Sequence, residues 1–171
     1  MDLKIIEYPD MLLREKSQPV EQVDSAVAEL LRQMLQKMYD THGVGLAAPQ
    51  VGILKRLVVI DVGSKEGQEK PLLMVNPEIV EKSEEIKKAS EGCLSVPNQY
   101  APVERFASVT VSYLDENGVR QEISADGLLA VALQHEIDHL NGILFIDYLS
   151  PLRRKMVINR LNKNRRLKGK E

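Results

Sequence analysis

Apolar side chains recur at three- and four-residue steps over residues 24–39. Val27, Leu30, Leu31, Met34, Leu35 and Met38 fall on one stripe, the period of a helix that lays one face on a core. Asp24 or Ser25 stands where such a helix needs an N-cap oxygen, and residues 41–45 stop it with Gly43 and Gly45. Ahead of it, Pro9 and Pro19 keep the first 20 residues irregular. Beyond Gly52 the period changes. Residues 57–62 and 72–75 are short β-branched or apolar runs that read as strands, the second closed by Asn76-Pro77. Residues 79–86 are charged and ambiguous. Residues 108–114 alternate, with Val109, Val111 and Tyr113 on one face. Glu116-Asn117-Gly118 marks a hairpin turn into a strand over 119–125. A second helix is expected over 127–140, capped by Asp126 and ended by Gly142. Leu128, Leu129, Val131, Ala132 and Leu133 make it apolar on several sides, so it belongs at the centre of the molecule. Pro151 opens a third helix, packed through Leu152, Met156, Val157 and Leu161. The order predicts an α+β fold: antiparallel or mixed strands around a central helix, with a C-terminal helix.

Length and charge sharpen this picture. A chain of 171 residues makes one domain with its own core. One cysteine excludes a disulfide framework, no apolar run is long enough for a membrane span, and Met1-Asp2-Leu3-Lys4 lacks the apolar block of a secretion signal. A cytoplasmic protein is the expectation. The net charge of −2 conceals two regions: residues 1–152 carry −10 and residues 153–171 carry +8. The expected organisation is a single catalytic domain over 1–152 and a basic helical extension over 153–171. An acidic body with a basic tail points that tail at a polyanion.

The strongest chemical signal is His135-Glu136-Ile137-Asp138-His139. Residues four apart share a helix face, so two imidazoles can hold one metal ion while Glu136 reaches a water beside it. Two histidines need a further protein ligand. Gly142 falls at the spacing of the extended metzincin pattern, but Phe145 stands where its third histidine would be. A downstream glutamate of the thermolysin kind is missing too; after His139 the only acids are Asp147 and Glu171. Asp147, near the end of a short segment, is expected to point elsewhere. Upstream, His42, Cys93 and several carboxylates remain candidates. Cys93 lies in Glu91-Gly92-Cys93-Leu94-Ser95, and a thiolate there favours zinc or ferrous iron over magnesium. A third segment, Gly43-Val44-Gly45-Leu46-Ala47-Ala48-Pro49-Gln50, joins the first helix to the sheet with small residues and one amide. No Gly-Lys-Ser/Thr follows, so it is not a phosphate loop.

These three segments, with Gln134 preceding the third, resemble the peptide deformylase family in identity, order and separation. The resemblance runs over about residues 3 to 160 and is closest to the bacterial type. It implies that Cys93, His135 and His139 are the metal ligands and Glu136 the catalytic acid/base. Gln50 and the Leu94 N–H would donate to the substrate carbonyl oxygen, and Gly45 would make a backbone contact near the substrate. Val44, Leu128, Val131 and Ala132 would line the methionine pocket. The implied cofactor is one divalent ion, natively ferrous iron, with zinc, nickel or cobalt as substitutes. The implied reaction removes the formyl group from formylmethionine at the start of nascent chains.

Three further features bear on that resemblance. Tyr100 stands where the family often has arginine, which bears on how the peptide beyond methionine is held. Arg105 matches a family arginine and is expected to be structural, pairing with Glu91 to order the Cys93 loop. In bacterial members the last helix docks on the ribosome. Arg153, Arg154, Lys155, Arg160, Lys163, Arg165, Arg166, Lys168 and Lys170 would then face RNA phosphates. The expected partners are a formylated nascent peptide and the ribosome, with no DNA, no membrane and a monomeric chain. Competing readings are a metallopeptidase that cuts internal peptide bonds, a non-enzymatic ribosome- or RNA-associated module, and a relative acting on another acyl group.

Overall fold

Asp24 does cap the first helix. In the computed structural model, which describes residues 2–169, its Oδ1 accepts the Val27 N–H at 2.9 Å and starts α1, Ser25–Asp40. Seven strands follow: β1 (Gly45–Ala47), β2 (Leu57–Ile60), β3 (Leu72–Lys82), β4 (Ile86–Cys93), β5 (Val96–Phe106), β6 (Ser108–Leu114) and β7 (Arg120–Asp126). Helix α2 is Gly127–Leu140 and α3 is Pro151–Lys168. Every pairing between these strands is antiparallel. Five strands form one sheet in the order β1-β2-β3-β6-β7, while β4 and β5 pair as a separate hairpin.

Alternation in β2 explains its unbroken apolar run. Val58 and Ile60 face α2 through a core that includes Met74, Val111, Leu133 and Leu140. Leu57 and Val59 face α1 through Leu31, Met34 and Met38. Both faces of the strand are therefore covered, and neither can be polar. Helix α2 is central as its composition predicts, with nine buried residues that include Gln134, His135, Glu136 and His139. Burying four polar side chains on one helix is costly without partners, which marks where the fold serves chemistry.

Several local expectations need correction. Asn76-Pro77 does not close β3; the strand runs on to Lys82 with a register shift between Val75 and Glu78, and Asn76 has φ 51°. The strand absorbs the proline as a bulge, where a missing N–H costs no ladder bond. The β4–β5 hairpin has no counterpart in the sequence reading, because its outward face is charged and Pro97 and Pro102 interrupt the pattern. Asp126 is the residue ahead of α2 but makes no side-chain cap bond. Leu152 and Met156 are exposed, and the fully buried apolar side chains of α3 are Val157 and Leu161, against Leu13, Val96, Val103 and Phe145.

Asp147 ties this last region together. Its Oδ2 accepts the Leu144 N–H at 2.9 Å and Arg14 Nη1 at 2.6 Å, while Arg154 approaches Oδ1 at 3.6 Å. It is not part of the group of ligand atoms formed by Cys93, His135 and His139. Burial would raise its pKa, but the Arg14 and Leu144 bonds outweigh that and lower it. The folded-state pKa lies below the unfolded value, so the contribution is present above about pH 4 and lost as pH falls through the folded value. Asp147→Asn is expected to cost about 1–3 kcal/mol near neutrality. Thermal melts across pH check this: the gap between the two proteins should close in acid.

Candidate active site and metal centre

Three elements converge on one end of α2. The hairpin delivers Cys93 at the close of β4, just before the Leu94-Ser95 turn. Helix α2 delivers His135, Glu136 and His139. The 3-10 turn Ala48–Val51 delivers Gln50. The amino-terminal segment straps the hairpin and the 3-10 turn together: the Ile6 N–H donates to Gln50 O at 2.7 Å and the Tyr8 N–H to Ser95 O at 2.8 Å.

Cys93, His135 and His139 offer ligand atoms that all lie within 4.8 Å of one another. Cys93 Sγ and His139 Nε2 are 3.3 Å apart. Metal–sulfur and metal–nitrogen bonds of the usual length give tetrahedral edges of roughly 3.3–3.8 Å, so the set closes on a cation with only small movements. His42, the other histidine candidate, is exposed at the end of α1 and lies outside this group. Phe145 does not ligate; its ring stacks on His135 with centroids 6.1 Å apart.

The chemistry of the donors agrees with this use. His135 Nδ1 lies 2.9 Å from Glu91 Oε1. Burial pushes the Glu91 pKa up, but its bonds to Arg105 and His135 prevail and hold it below the usual carboxylate range. An ionised carboxylate only accepts, so Nδ1 carries a proton and Nε2 is the nitrogen left to face a metal. The two imidazoles are driven apart. Burial lowers the His135 pKa, yet Glu136, Cys93 and Glu91 together raise it well above the ordinary value, so in the metal-free protein Nε2 also carries a proton, which a bound cation would displace. For His139, burial, then His135, Arg105 and Arg14, all lower it, leaving the neutral form that can ligate. Among the described residues, His139 Nδ1 and Glu136 Oε1 are buried without a hydrogen-bond partner. Burial, with Glu91 adding and His135 opposing, pushes the Glu136 carboxyl up to about 7, the range of a general base.

Gln50 is buried and its amide is oriented. Oε1 accepts the Ala47 N–H at 2.9 Å, which turns Nε2 toward Cys93 Sγ at 3.4 Å and Ser95 Oγ at 3.2 Å. Gly45 faces Glu136 so closely that a Cβ there would sit 2.5 Å from Oε2. Leu94 and Val44 are half-buried nearby in the chain. Ala132 is buried in the core between α2 and the sheet, Val131 is half-buried, and Leu128 is 56% exposed, so α2 presents the four-residue step at its outer end to solvent. Tyr100 is also exposed, its ring lying over Gly92.

Sequence reading missed four contributors. Ser95 receives Gln50. Gln134 clamps α2 to β5, accepting the Phe106 N–H at 3.0 Å and donating to Phe106 O at 2.9 Å. Asp138 accepts both Arg105 and Tyr148. Ser95, Gln134 and Asp138 stand inside the recognised motifs, where only their proximity to ligands was a signal; Tyr148 carried none.

A cysteine sulfur and two imidazoles that could hold one metal ion, with a buried glutamate next to a ligand on the same helix, are the site of a metal-dependent hydrolase. The family model for polypeptide deformylase matches residues 2–155, and the chain belongs to that family. It is 54% identical over 166 residues to the peptide deformylase of Rhizobium meliloti (strain 1021), covering 96% of this chain and 95% of that protein. It is 53% identical to that of Agrobacterium fabrum, over 96% of both chains. Among solved structures, a peptide deformylase from Legionella pneumophila superposes with a TM-score of 0.93 at 47% identity, covering 100% of this chain and 99% of that one. One from Synechococcus elongatus in complex with actinonin gives a TM-score of 0.88 at 44% identity, over 95% and 87% of the chains. This chain is accordingly an enzyme that hydrolyses N-terminal formylmethionyl amides. No helix among the described residues is long and apolar enough to cross a membrane.

Proposed function

We propose that Cys93, His135 and His139 hold one divalent cation, natively ferrous iron, and that Glu136 moves the protons of deformylation. The observation that carries this is the convergence of the three donors beside a buried carboxylate with a pKa pushed up to about 7. A cation held there supplies Lewis acidity toward water and toward the formyl oxygen. Zinc, nickel and cobalt suit the same donors.

Glu136 takes the proton of the attacking water on its unpartnered Oε1. The water oxygen adds to the formyl carbon, and negative charge gathers on the formyl oxygen. Gln50 Nε2, turned outward from Ala47, and the Leu94 N–H donate to that oxygen. As the C–N bond breaks, Glu136 returns its proton to the leaving amine. The products are formate and a peptide with a free amino-terminal methionine. Val44, Gly45, Leu128, Val131 and Ala132 are assigned to the substrate side of this site, with the methionine side chain against their apolar atoms. Anaerobic assay of a formyl-Met peptide beside its unformylated counterpart, with metal analysis of the same sample, tests the reading. Stoichiometric formate and one bound cation are expected; cleavage inside the unformylated peptide would favour the metallopeptidase alternative.

The substrate in the cell is a formylated nascent chain, and α3 is assigned to recruitment of the monomeric, cytoplasmic enzyme to the ribosome. The division into a catalytic domain over 1–152 and a basic helix over 153–171 is part of this proposal. Arg153, Lys155, Arg160, Lys163, Arg166 and Lys168 are exposed. Arg154 and Arg165 are half-buried and face the protein's own acids, Asp147 and Glu7, and Arg165 also donates to Tyr8 O. Lys170 lies outside the described residues. Deleting the helix would also remove the packed Val157 and Leu161, so charge reversal is the cleaner test. Arg153→Glu, Lys163→Glu and Arg166→Glu together are expected to lower ribosome affinity about tenfold or more and flatten its salt dependence. Formate release from a short peptide should change less than about twofold, since these residues are exposed and none is assigned to the metal or substrate. Unchanged ribosome binding would remove the recruitment role.

A further inference from the structure

Four side chains beyond the reacting groups form one chain of contacts that ends on His135. Glu91 Oε1 meets His135 Nδ1 at 2.9 Å. Arg105 grips Glu91 with two bonds, Nε to Oε2 at 2.7 Å and Nη2 to Oε1 at 2.8 Å. Its remaining Nη1 donates to Asp138 Oδ2 at 2.6 Å. The same Oδ2 accepts the Tyr148 hydroxyl at 2.7 Å, and the Tyr148 ring lies 4.7 Å from Arg105 Cζ. Glu91 and Arg105 are almost fully buried; Tyr148 at the outer end is half exposed.

The geometry has a direction. A guanidinium that makes a bidentate contact fixes the plane of its carboxylate only if its own plane is fixed. Here Asp138 holds the third nitrogen and the Tyr148 ring covers the guanidinium face. Burial and Asp138 push the Tyr148 pKa up to about 12, so its hydroxyl stays protonated and donates. The carboxylate in turn sets the tilt of the imidazole, because rotation of His135 about its ring axis would break the Nδ1 contact. Nε2 swings with that rotation.

We propose that Asp138 and Tyr148 are positioning residues for His135: acting through Arg105 and Glu91, they hold its Nε2 in line with Cys93 Sγ and His139 Nε2. The inference rests on His135 being a ligand of the cation. Outer partners of ligating histidines commonly change metal affinity by about 10- to 100-fold when replaced. Neither residue touches the reacting groups, and the Tyr148 hydroxyl can be removed without opening the core.

The test uses the full chain loaded with Co2+, which reports its ligand geometry in visible absorption. The rate of Co2+ transfer to excess chelator is measured for the unaltered protein, Tyr148→Phe, Asp138→Asn, the double variant and His135→Ala, beside melting of each metal-free protein. Tyr148→Phe should release Co2+ about 3- to 10-fold faster and Asp138→Asn about 10- to 100-fold faster, both with altered visible bands. The double variant should match Asp138→Asn within about twofold, because the hydroxyl acts through that carboxylate. Metal-free Tyr148→Phe should melt as the unaltered protein does, which a merely structural role would not combine with faster release. Should Asp138→Asn fail to fold, Tyr148→Phe alone decides. Release within about twofold of the unaltered protein in the folded variants, or additive effects in the double variant, would overturn the positioning role. If His135→Ala loses Co2+ while the others retain it, only positioning fails. If His135→Ala retains Co2+ with unchanged bands, the ligand assignment itself fails and takes the inference with it.

Discussion

Glu136→Gln is expected to reduce formate release by about 10²- to 10⁴-fold while the protein keeps its cation. The side chain is buried, and Oε1 has no protein partner to lose. Glutamine keeps its shape and fills the same space, so packing is preserved. What disappears is a group able to take a proton from water and return it to the amine. The swap also removes a carboxyl whose charged form is opposed first by burial. Metal-free Glu136→Gln should therefore melt no lower than the unaltered protein. Metal content, melting and formate release on one preparation separate these effects. Turnover within about tenfold of the unaltered enzyme would place the proton transfer on another group.

The sequence reached the two halves of this site by different routes. Periodicity placed α2 and its central position, because Ala130, Leu133, Ile137 and Leu140 pack regularly against the sheet. His135 and His139 share a face for the same geometric reason. Cys93 was one candidate among several until the resemblance of three segments singled it out. Residues 86–106 show why: their hairpin is charged outside and broken by prolines, and its two-residue turn, Leu94-Ser95, lacks the Asn-Gly or Asp-Gly signature. The Asp138–Tyr148 link was illegible for another reason. Side-chain bonds that join a helix to a later 3-10 turn leave no periodic trace, and Tyr148 reads as an ordinary amphipathic residue. Likewise, Leu128 continues the apolar pattern of α2 yet is exposed. An apolar step at a helix end tells which face it occupies, but not how far the neighbouring elements extend over it.

Gly45→Ala should depress turnover about 10²-fold without loss of the cation. The added Cβ would sit 2.5 Å from Glu136 Oε2 and 3.0 Å from its Cδ and Cγ. Glu136 is buried on a packed helix, so its carboxylate must move aside by about 1 Å to reach ordinary contact, and displacements of that size cost catalysis heavily. The backbone itself is not the obstacle. Gly45 is not among the residues with positive φ, and it pairs with Ile60 in an extended ladder that alanine also adopts. The cost therefore falls on the one side chain opposite. The three atoms nearest the added Cβ all belong to Glu136, so metal retention should match the unaltered protein. Combining the two substitutions sharpens the assignment: in the Glu136→Gln background, where proton transfer is already lost, Gly45→Ala should lower the residual rate less than about threefold. Full activity in Gly45→Ala would show that the carboxylate works equally well from a displaced position, and a full 10²-fold loss on top of Glu136→Gln would assign Gly45 a role of its own toward the substrate.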